Sequence, residues 1–298
     1  MIYIVIPVFN RKELTRKCLV SLYEQTYRNF KVIIVDDGST DGTSETITSS
    51  FPHVIVLKGN GNLWWAGATN LGVTYALEHS NSFSSDFVLT LNNDLEAPTD
   101  YLEKIHAFGC ARGKSLIGSV SLEYNNPDII SFCGVKWNSF WAKQSPIAQK
   151  FEYCYKNLLN SNGCIESDFL SGRGTLIPLL LFKEIGLYDN ANFPQYAADD
   201  DFSLRAKRYG YKLLIKPDIF IRSHTGETGV SLEKIHYNYK YFKDLFFSIK
   251  SPLNLKIRYR FAIKNSRYKI LYFLIDLSRI CVSFLIKFFS AGMKKMAV

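Results

Sequence analysis

The 298-residue sequence has no C-x-x-C pair among its six cysteines, which excludes a zinc knuckle and a thioredoxin-type redox motif. Six cysteines in a chain of this length are also too sparse for a disulfide scaffold, so the expected compartment is reducing and the expected location cytoplasmic. The glycines form no G-x-G-x-x-G, because Trp64 stands where the third would fall, and a dinucleotide fingerprint is thereby excluded. No Walker lysine motif and no G-x-S-x-G is present, so neither a P-loop nor a hydrolase nucleophile elbow is expected. The first residues, MIYIVIP, have no basic segment and no cleavage site; they read as a strand, not a signal peptide. No internal repeat and no low-complexity segment occurs. Hydrophobic residues at 47% and charged residues at 21% exclude a disordered chain.

What the sequence has is a charge imbalance in one place. The formal net charge is +9, yet residues 237–298 hold 13 Lys/Arg against two Asp, while residues 1–236 hold 23 against 25. The basic tail is rich in Tyr and Phe, and Pro252 divides it into two expected helical stretches. The second, about 266–289, is apolar but interrupted by Asp276, Arg279 and Lys287. A membrane span needs roughly 20 apolar residues with few charges, so spanning is disfavoured. Basic residues interleaved with Tyr, Phe and Leu suit a helix lying on an anionic membrane surface; packing on the preceding domain or a partner chain is the plainer alternative.

The first 95 residues alternate apolar runs with helical spacing. Strands are expected at 2–6, 31–35, 54–57 and 87–91, with helices at 12–26 and 66–78 between them. Polar clusters follow each strand, which indicates an α/β fold with a parallel sheet and a site at the C-terminal ends of the strands. The middle, about 110–170, is less regular. Helices are expected at 179–185 and from Asp199 through Arg208, with a strand at 212–215. The expected division is a domain of 1–236, with halves at about 1–95 and 96–236, and the extension 237–298.

Several polar residues sit where chemistry is possible, each with an ordinary structural alternative. Asp36 and Asp37 end a buried strand and can accept hydrogen bonds from a base or a ribose, or cap a turn with Gly38, Ser39 and Thr40. Asn92, Asn93 and Asp94 end another. Asp94 there can hold Mg²⁺ or Mn²⁺ beside diphosphate oxygens, or close an Asx turn. His224 is a second candidate metal ligand or a structural histidine, and residues 225–229 offer Gly and Thr backbone to phosphate. Asp199, Asp200 and Asp201 repel one another, so one faces a cation, a hydroxyl or a helix N-terminus and one can take a proton from an attacking hydroxyl. Trp64 and Trp65 suit a sugar's C–H faces or the core.

Six segments in order then resemble the family 2 glycosyltransferases of the GT-A fold, particularly bacterial members that build surface polysaccharides. They are 4–11 (IVIPVFNR), 35–42 (VDDGSTDG), 61–72 (GNLWWAGATNLG), 91–94 (LNND), 171–174 (SGRG) and 199–205 (DDDFSLR). Each segment alone is weak, but together they cover about residues 2–230. The resemblance implies a Rossmann-like central sheet and inverting transfer from a nucleotide-diphospho-sugar, UDP- or dTDP-linked, to a saccharide or lipid-linked acceptor. Pro7, Phe9 and Asp37 would frame the base and ribose with Asp36 close by, and Asn10, Arg11, Gly67, Asn70, Asn92 and Asn93 belong to the same donor side. Asp94 matches the last residue of the family's D-x-D, which binds Mn²⁺ or Mg²⁺; Asn92 replaces its first acid, keeping an oxygen but losing a charge. His224 matches a further metal contact. Asp199 aligns with the general base and Asp201 with the second acid of that motif. Trp64, Trp65, Gly172, Arg173 and Asp200 fall on the acceptor side.

Two other readings compete. A sugar-nucleotidyltransferase also pairs a parallel sheet with carboxylates and Mg²⁺, but brings a Gly-rich basic loop after its first strand, and residues 7–10 are PVFN. A non-catalytic glycosyltransferase-like binding module is conceivable from Asn92, and Asp94, Asp199 and His224 argue against it. No motif supports nucleic-acid binding. The basic tail points instead to a peripheral position at the inner face of the cell membrane.

Overall fold

In a computed structural model, which describes residues 1–161, 163–224 and 239–296, the N-terminal apolar run forms β1 (Ile2–Val8) at the heart of a mixed sheet. The first half of the chain then alternates: α1 (Lys12–Tyr23), β2 (Phe30–Asp36), α2 (Thr43–Ser50), β3 (Ile55–Lys58), α3 (Trp64–His79) and β4 (Phe87–Thr90). After β5 (Leu95–Glu96), α4 (Tyr101–Cys110) and β6 (Ser115–Glu123) come the short elements of the middle. These are β7 (Ile130–Phe132), β8 (Val135–Asn138), β9 (Lys143–Pro146), α5 (Tyr155–Leu159) and β10 (Ile165–Glu166). The chain continues through β11 (Thr175–Pro178), α6 (Leu179–Ile185), α7 (Ala198–Arg208) and β12 (Lys212–Ser223), and then α8 (Tyr239–Phe247), α9 (Leu255–Asn265) and α10 (Lys269–Met296).

The main sheet runs β10-β12-β6-β11-β4-β1-β2-β3, with β5 beside β12 and β7 beside β6. β1 lies parallel to β2 and β4, and β2 parallel to β3, as short strands joined by helical crossovers must. β11 is inserted antiparallel between β4 and β6, with Thr175 opposite both Thr90 and Gly118. β1 is buried on both faces, which is why it reads as a continuous apolar run. Ile2, Ile4 and Ile6 share a core with Leu19, Leu22, Leu102 and Ile105. On α3, Gly72 lies so close to β1 that a Cβ would stand 2.4 Å from Val5 Cγ1, so only glycine allows this approach.

Three expectations change. The middle contains β6, nine residues long and buried for eight of them, where no strand was expected. Its Ser119 and Ser121 break the apolar signature, yet Ser119 Oγ donates to Gly174 O at 2.7 Å and Ser131 Oγ donates to Ser121 Oγ at 2.9 Å. Partners from distant segments make those hydroxyls tolerable inside. β12 continues past 215 to Ser223, its register against β6 shifting between Ile215 and Phe220, where Pro217 removes a ladder donor. The tail has three helices among the described residues, not two.

Contacts divide the chain into two units, one of 1–136, 145–194 and 198–226, the other of 137–144, 195–197 and 227–298. The second unit thus begins about ten residues earlier than expected and takes in two short excursions from the first. Within it, Leu245, Phe246 and Ile280 form a small core. The apparent interruption of the apolar tail by Asp276 resolves there, because both of its oxygens accept from Arg258, at 2.5 and 2.6 Å. Among the described residues, no helix is long and apolar enough to cross a membrane.

Candidate active site

The polar residues that follow β1, β2 and β4 converge. Asn10 and Arg11 both adopt left-handed backbone, φ 59° and 66°, which turns the chain sharply between β1 and α1. Asn10 N donates to Ser39 Oγ at 2.7 Å and Thr40 N donates to Asn10 Oδ1 at 2.9 Å, so the β1 and β2 loops hold each other. Phe9 projects beside them and is 57% exposed, with Pro7 half-buried behind.

Asp36 and Asp37 do structural duty first. Asp36 Oδ1 accepts from Ser39 N at 2.8 Å and Oδ2 from the Ser44 hydroxyl. Asp37 accepts three backbone N–H groups, from Gly61 and Leu63 at 2.8 Å and from Trp64 at 3.0 Å, and so moors the start of α3. Trp64 enters the helix at φ 56°.

Asp94 is different. It is 5% exposed, and its Oδ1 has no hydrogen-bond partner. Oδ2 lies 3.5 Å from Arg11 Nη1. Burial pushes its carboxyl above the usual range, against the opposing pull of Arg11, Arg173 and His224. The pairing of β5 with β12 brings His224 to it, and His224 N donates to Asp94 O at 3.0 Å. The imidazole stacks on Tyr124 at 3.9 Å, and its Nε2 lies 2.9 Å from Glu96 Oε1. A donor at Nε2 leaves the lone pair on Nδ1, the arrangement usual behind a metal-bound histidine. Glu96 and Tyr124 were not anticipated; Glu96, two residues beyond Asp94 on an alternating strand, was the findable one.

Asn92 Oδ1 accepts from the Trp65 indole N–H at 3.1 Å, so the amide that replaces the first acid of D-x-D orients an aromatic ring. The Trp65 ring lies over Gly172, where a Cβ would stand 2.0 Å from Cζ2. Gly172 N in turn donates to Asp199 Oδ2 at 3.1 Å, and Asp200 N donates to Asp199 Oδ1 at the same distance. An unbroken line of contacts thus runs from the end of β4 to the start of α7. Burial raises the Asp199 carboxyl above its ordinary range, partly offset by these N–H groups and by Arg173. A base needs this: a proton affinity moved toward neutral pH.

Four expected site residues make structural contacts. Asp201 is fully buried and paired with Arg205 Nε at 2.9 Å, while the rest of that guanidinium donates to Ile185 O and Leu187 O. It fastens α7 to the α6 loop. Asn93 Nδ2 donates to Thr15 Oγ1 at 2.9 Å and ties the strand end to α1. The Asn70 amide donates to Tyr188 O and accepts from Tyr188 N, clamping that loop. Gly67 is buried where a Cβ would meet Leu63 Cβ at 3.3 Å, a packing position. Residues 225–229 lie outside the described residues.

The residues present fit a divalent cation. The orphaned, buried Asp94 Oδ1 is an oxygen ligand awaiting a partner, and His224 stands adjacent. Among the described residues no group of three or more His, Cys, Asp or Glu is placed to hold a metal by itself. One carboxylate with substrate phosphates completing the shell is the usual arrangement for Mg²⁺.

Comparison with known proteins agrees with this geometry. A solved structure of GalNAc-T7 with UDP, GalNAc and Mn²⁺ superposes with a TM-score of 0.60 at 16% identity, over 88% of this chain and 50% of that one. The fold is therefore that of the GT-A glycosyltransferases. Residues 3–142 match the model of Glycosyl transferase family 2. An uncharacterized glycosyltransferase of Rickettsia typhi is 27% identical over 76% of this chain and 65% of its own length. The GalNAc(5)-diNAcBac-PP-undecaprenol beta-1,3-glucosyltransferase of Campylobacter jejuni is 24% identical over 90% of this chain and 88% of its own. The chain thus spans just under two thirds of the Rickettsia relative and half of the GalNAc-T7 structure.

Proposed function

We propose that the chain transfers a sugar, with inversion, from a UDP- or dTDP-sugar to a hydroxyl of a bacterial surface polysaccharide or lipid-linked oligosaccharide. The observation that carries this is the placement of two carboxylates with raised proton affinity, the buried Asp94 and the half-buried Asp199, on either side of the Trp65–Gly172 contact. Asp199 accepts the proton of the acceptor hydroxyl as its oxygen attacks C1 from the face opposite the diphosphate. Phe9 and Pro7 form the apolar wall against which a base can lie, and Asp37 positions the neighbouring loop. Asp94 and His224 would hold Mn²⁺ or Mg²⁺, which when bound neutralises charge on the leaving diphosphate.

The lipid-linked acceptor draws support from the Campylobacter relative's name and from the tail. On α10, Ile270, Leu274, Val282 and Ile286 are all more than half exposed, while Lys256, Lys264, Arg267 and Lys269 are exposed nearby in the same unit. Apolar side chains with flanking cations suit an anionic membrane surface and support a peripheral position at the inner face of the cell membrane.

The test is a screen of UDP- and dTDP-sugars for nucleotide release, with lipid-linked oligosaccharide as acceptor. One donor should be consumed only when acceptor is present, and Asp199→Asn should cut that turnover by about 10²–10⁴-fold. Release of pyrophosphate from a sugar phosphate and a nucleoside triphosphate would establish a nucleotidyltransferase instead.

A further inference from the structure

Arg173 was expected on the acceptor side, and its surroundings support a second role. Its loop is fastened at two points: Gly174 N donates to Thr90 O at 2.8 Å, and Gly172 N to Asp199 Oδ2 at 3.1 Å. Thr90 ends β4, four residues before Asp94. The loop therefore bridges the strand that delivers Asp94 and the helix that delivers Asp199. Thr175 Oγ1 donates to Ser171 O at 2.6 Å, and Ser119 N and Oγ both donate to Gly174 O, so the backbone on either side of Arg173 is rigidly held.

The guanidinium itself is uncommitted. Its recorded side-chain bond is a long one, from Nε to Ser171 Oγ at 3.5 Å, and it makes no ion pair among the described residues. The contrast with its neighbours is sharp: Arg205 is consumed by Asp201 and two carbonyls, and Arg11 leans on Asp94. Arg173 is nevertheless within electrostatic reach of both Asp94 and Asp199, since its charge favours ionisation of each. A half-buried arginine held between two carboxylates, yet paired with neither, is a cation kept for an anion from outside.

The charge inventory says which anion. Asn92 is neutral and its oxygen is engaged by Trp65, so this chain brings one carboxylate, not two, to a metal on the diphosphate. A guanidinium fork matches two phosphate oxygens, and it retains its charge at any working pH.

We propose that Arg173 binds the donor's diphosphate and holds the charge that gathers there as the bond to the sugar breaks. This rests on the donor chemistry proposed above. The acceptor oxygen gives its proton to Asp199 and bonds to C1. The bond from C1 to the phosphate oxygen breaks, its electron pair stays on that oxygen, and Arg173 donates hydrogen bonds to the resulting phosphate.

The experiment measures UDP and dTDP binding to the full chain by calorimetry, in EDTA and in Mn²⁺, for wild type, Arg173→Gln and Arg173→Lys. Arg173→Gln should weaken nucleotide binding about tenfold in both buffers, and Arg173→Lys should recover part of it, because lysine keeps the charge but not the fork. Turnover of Arg173→Gln should fall while the acceptor KM stays constant. Unchanged nucleotide affinity with a raised acceptor KM would return Arg173 to the acceptor side and overturn the proposal. Wild type binding neither nucleotide would instead remove the donor reading beneath it. Equal melting temperatures for wild type and Arg173→Lys exclude a folding artefact.

Discussion

Substituting Gly172 by alanine probes the contact that joins the two halves of the site. The added Cβ would stand 2.0 Å from Trp65 Cζ2 and 2.5 Å from Cη2, well inside any allowed carbon separation. The ring cannot yield easily, because its indole N–H donates to Asn92 Oδ1 at 3.1 Å and its edge meets Tyr188 at 5.3 Å between centroids. Overpacking of this kind costs about 1–3 kcal/mol, and losing the indole hydrogen bond adds about 1 kcal/mol, so about 2–4 kcal/mol of stability should be lost. Urea unfolding followed by far-ultraviolet ellipticity measures this, and Trp65→Ala with the double variant completes a cycle. The cost of Gly172→Ala should largely vanish in the Trp65→Ala background, since the atoms that clash are gone. Turnover should fall with stability, because Gly172 N also holds Asp199. A Gly172→Ala protein within about 0.5 kcal/mol of wild type, or one whose cost is unchanged without Trp65, would refute the assigned packing.

Other outcomes follow from the same structure. Asp199→Asn should reduce turnover by about 10²–10⁴-fold with nucleotide affinity intact. Because burial raises the Asp199 carboxyl, wild-type kcat/KM should fall as pH drops through a value above about 3.9, the ordinary aspartate figure; a limb centred at or below that figure contradicts the assignment. Arg205→Met should cost about 3–5 kcal/mol by stranding the buried Asp201 charge, while folded molecules retain activity; loss of turnover without loss of stability would restore Asp201 to the chemistry. If Asp94 holds the cation, EDTA should inactivate the wild type and Mn²⁺ restore it, whereas Asp94→Asn should not respond to Mn²⁺. Replacing Lys264, Arg267 and Lys269 by glutamate should release the protein from phosphatidylserine vesicles, and undiminished sedimentation with them would place the membrane contact elsewhere.

Much of the candidate site was legible because its polar residues follow buried strands. Asp94 and Asp199 stood out as carboxylates after a buried strand and before a helix, and burial raises the proton affinity of both. What the sequence could not rank was three adjacent aspartates. Asp199 and Asp201 differ by two helical positions, enough to put one beside Gly172 and the other against Arg205. Likewise Asn92 and Asn93 are neighbours on an extended chain and bond in different directions, to Trp65 and to Thr15. β6 escaped notice because serine inside a strand looks like a loop until its partners are known.

Local chemistry sufficed for β1 to β4, α1 and α3, for the turns that Asp36 and Asp37 organise, and for the basic tail, though not for the short, Ser/Thr-rich α2 at Thr43–Ser50. Such properties depend on residues within a few positions of one another. The tertiary structure alone decided which carboxylate oxygen stays without a hydrogen bond, which arginine keeps its charge available, and that Glu96 backs His224. Those facts depend on segments far apart in the chain, such as 90 with 174 or 96 with 224. Hydrogen-bond satisfaction there is set by where the sheet brings the backbone together, and residue type alone does not encode that.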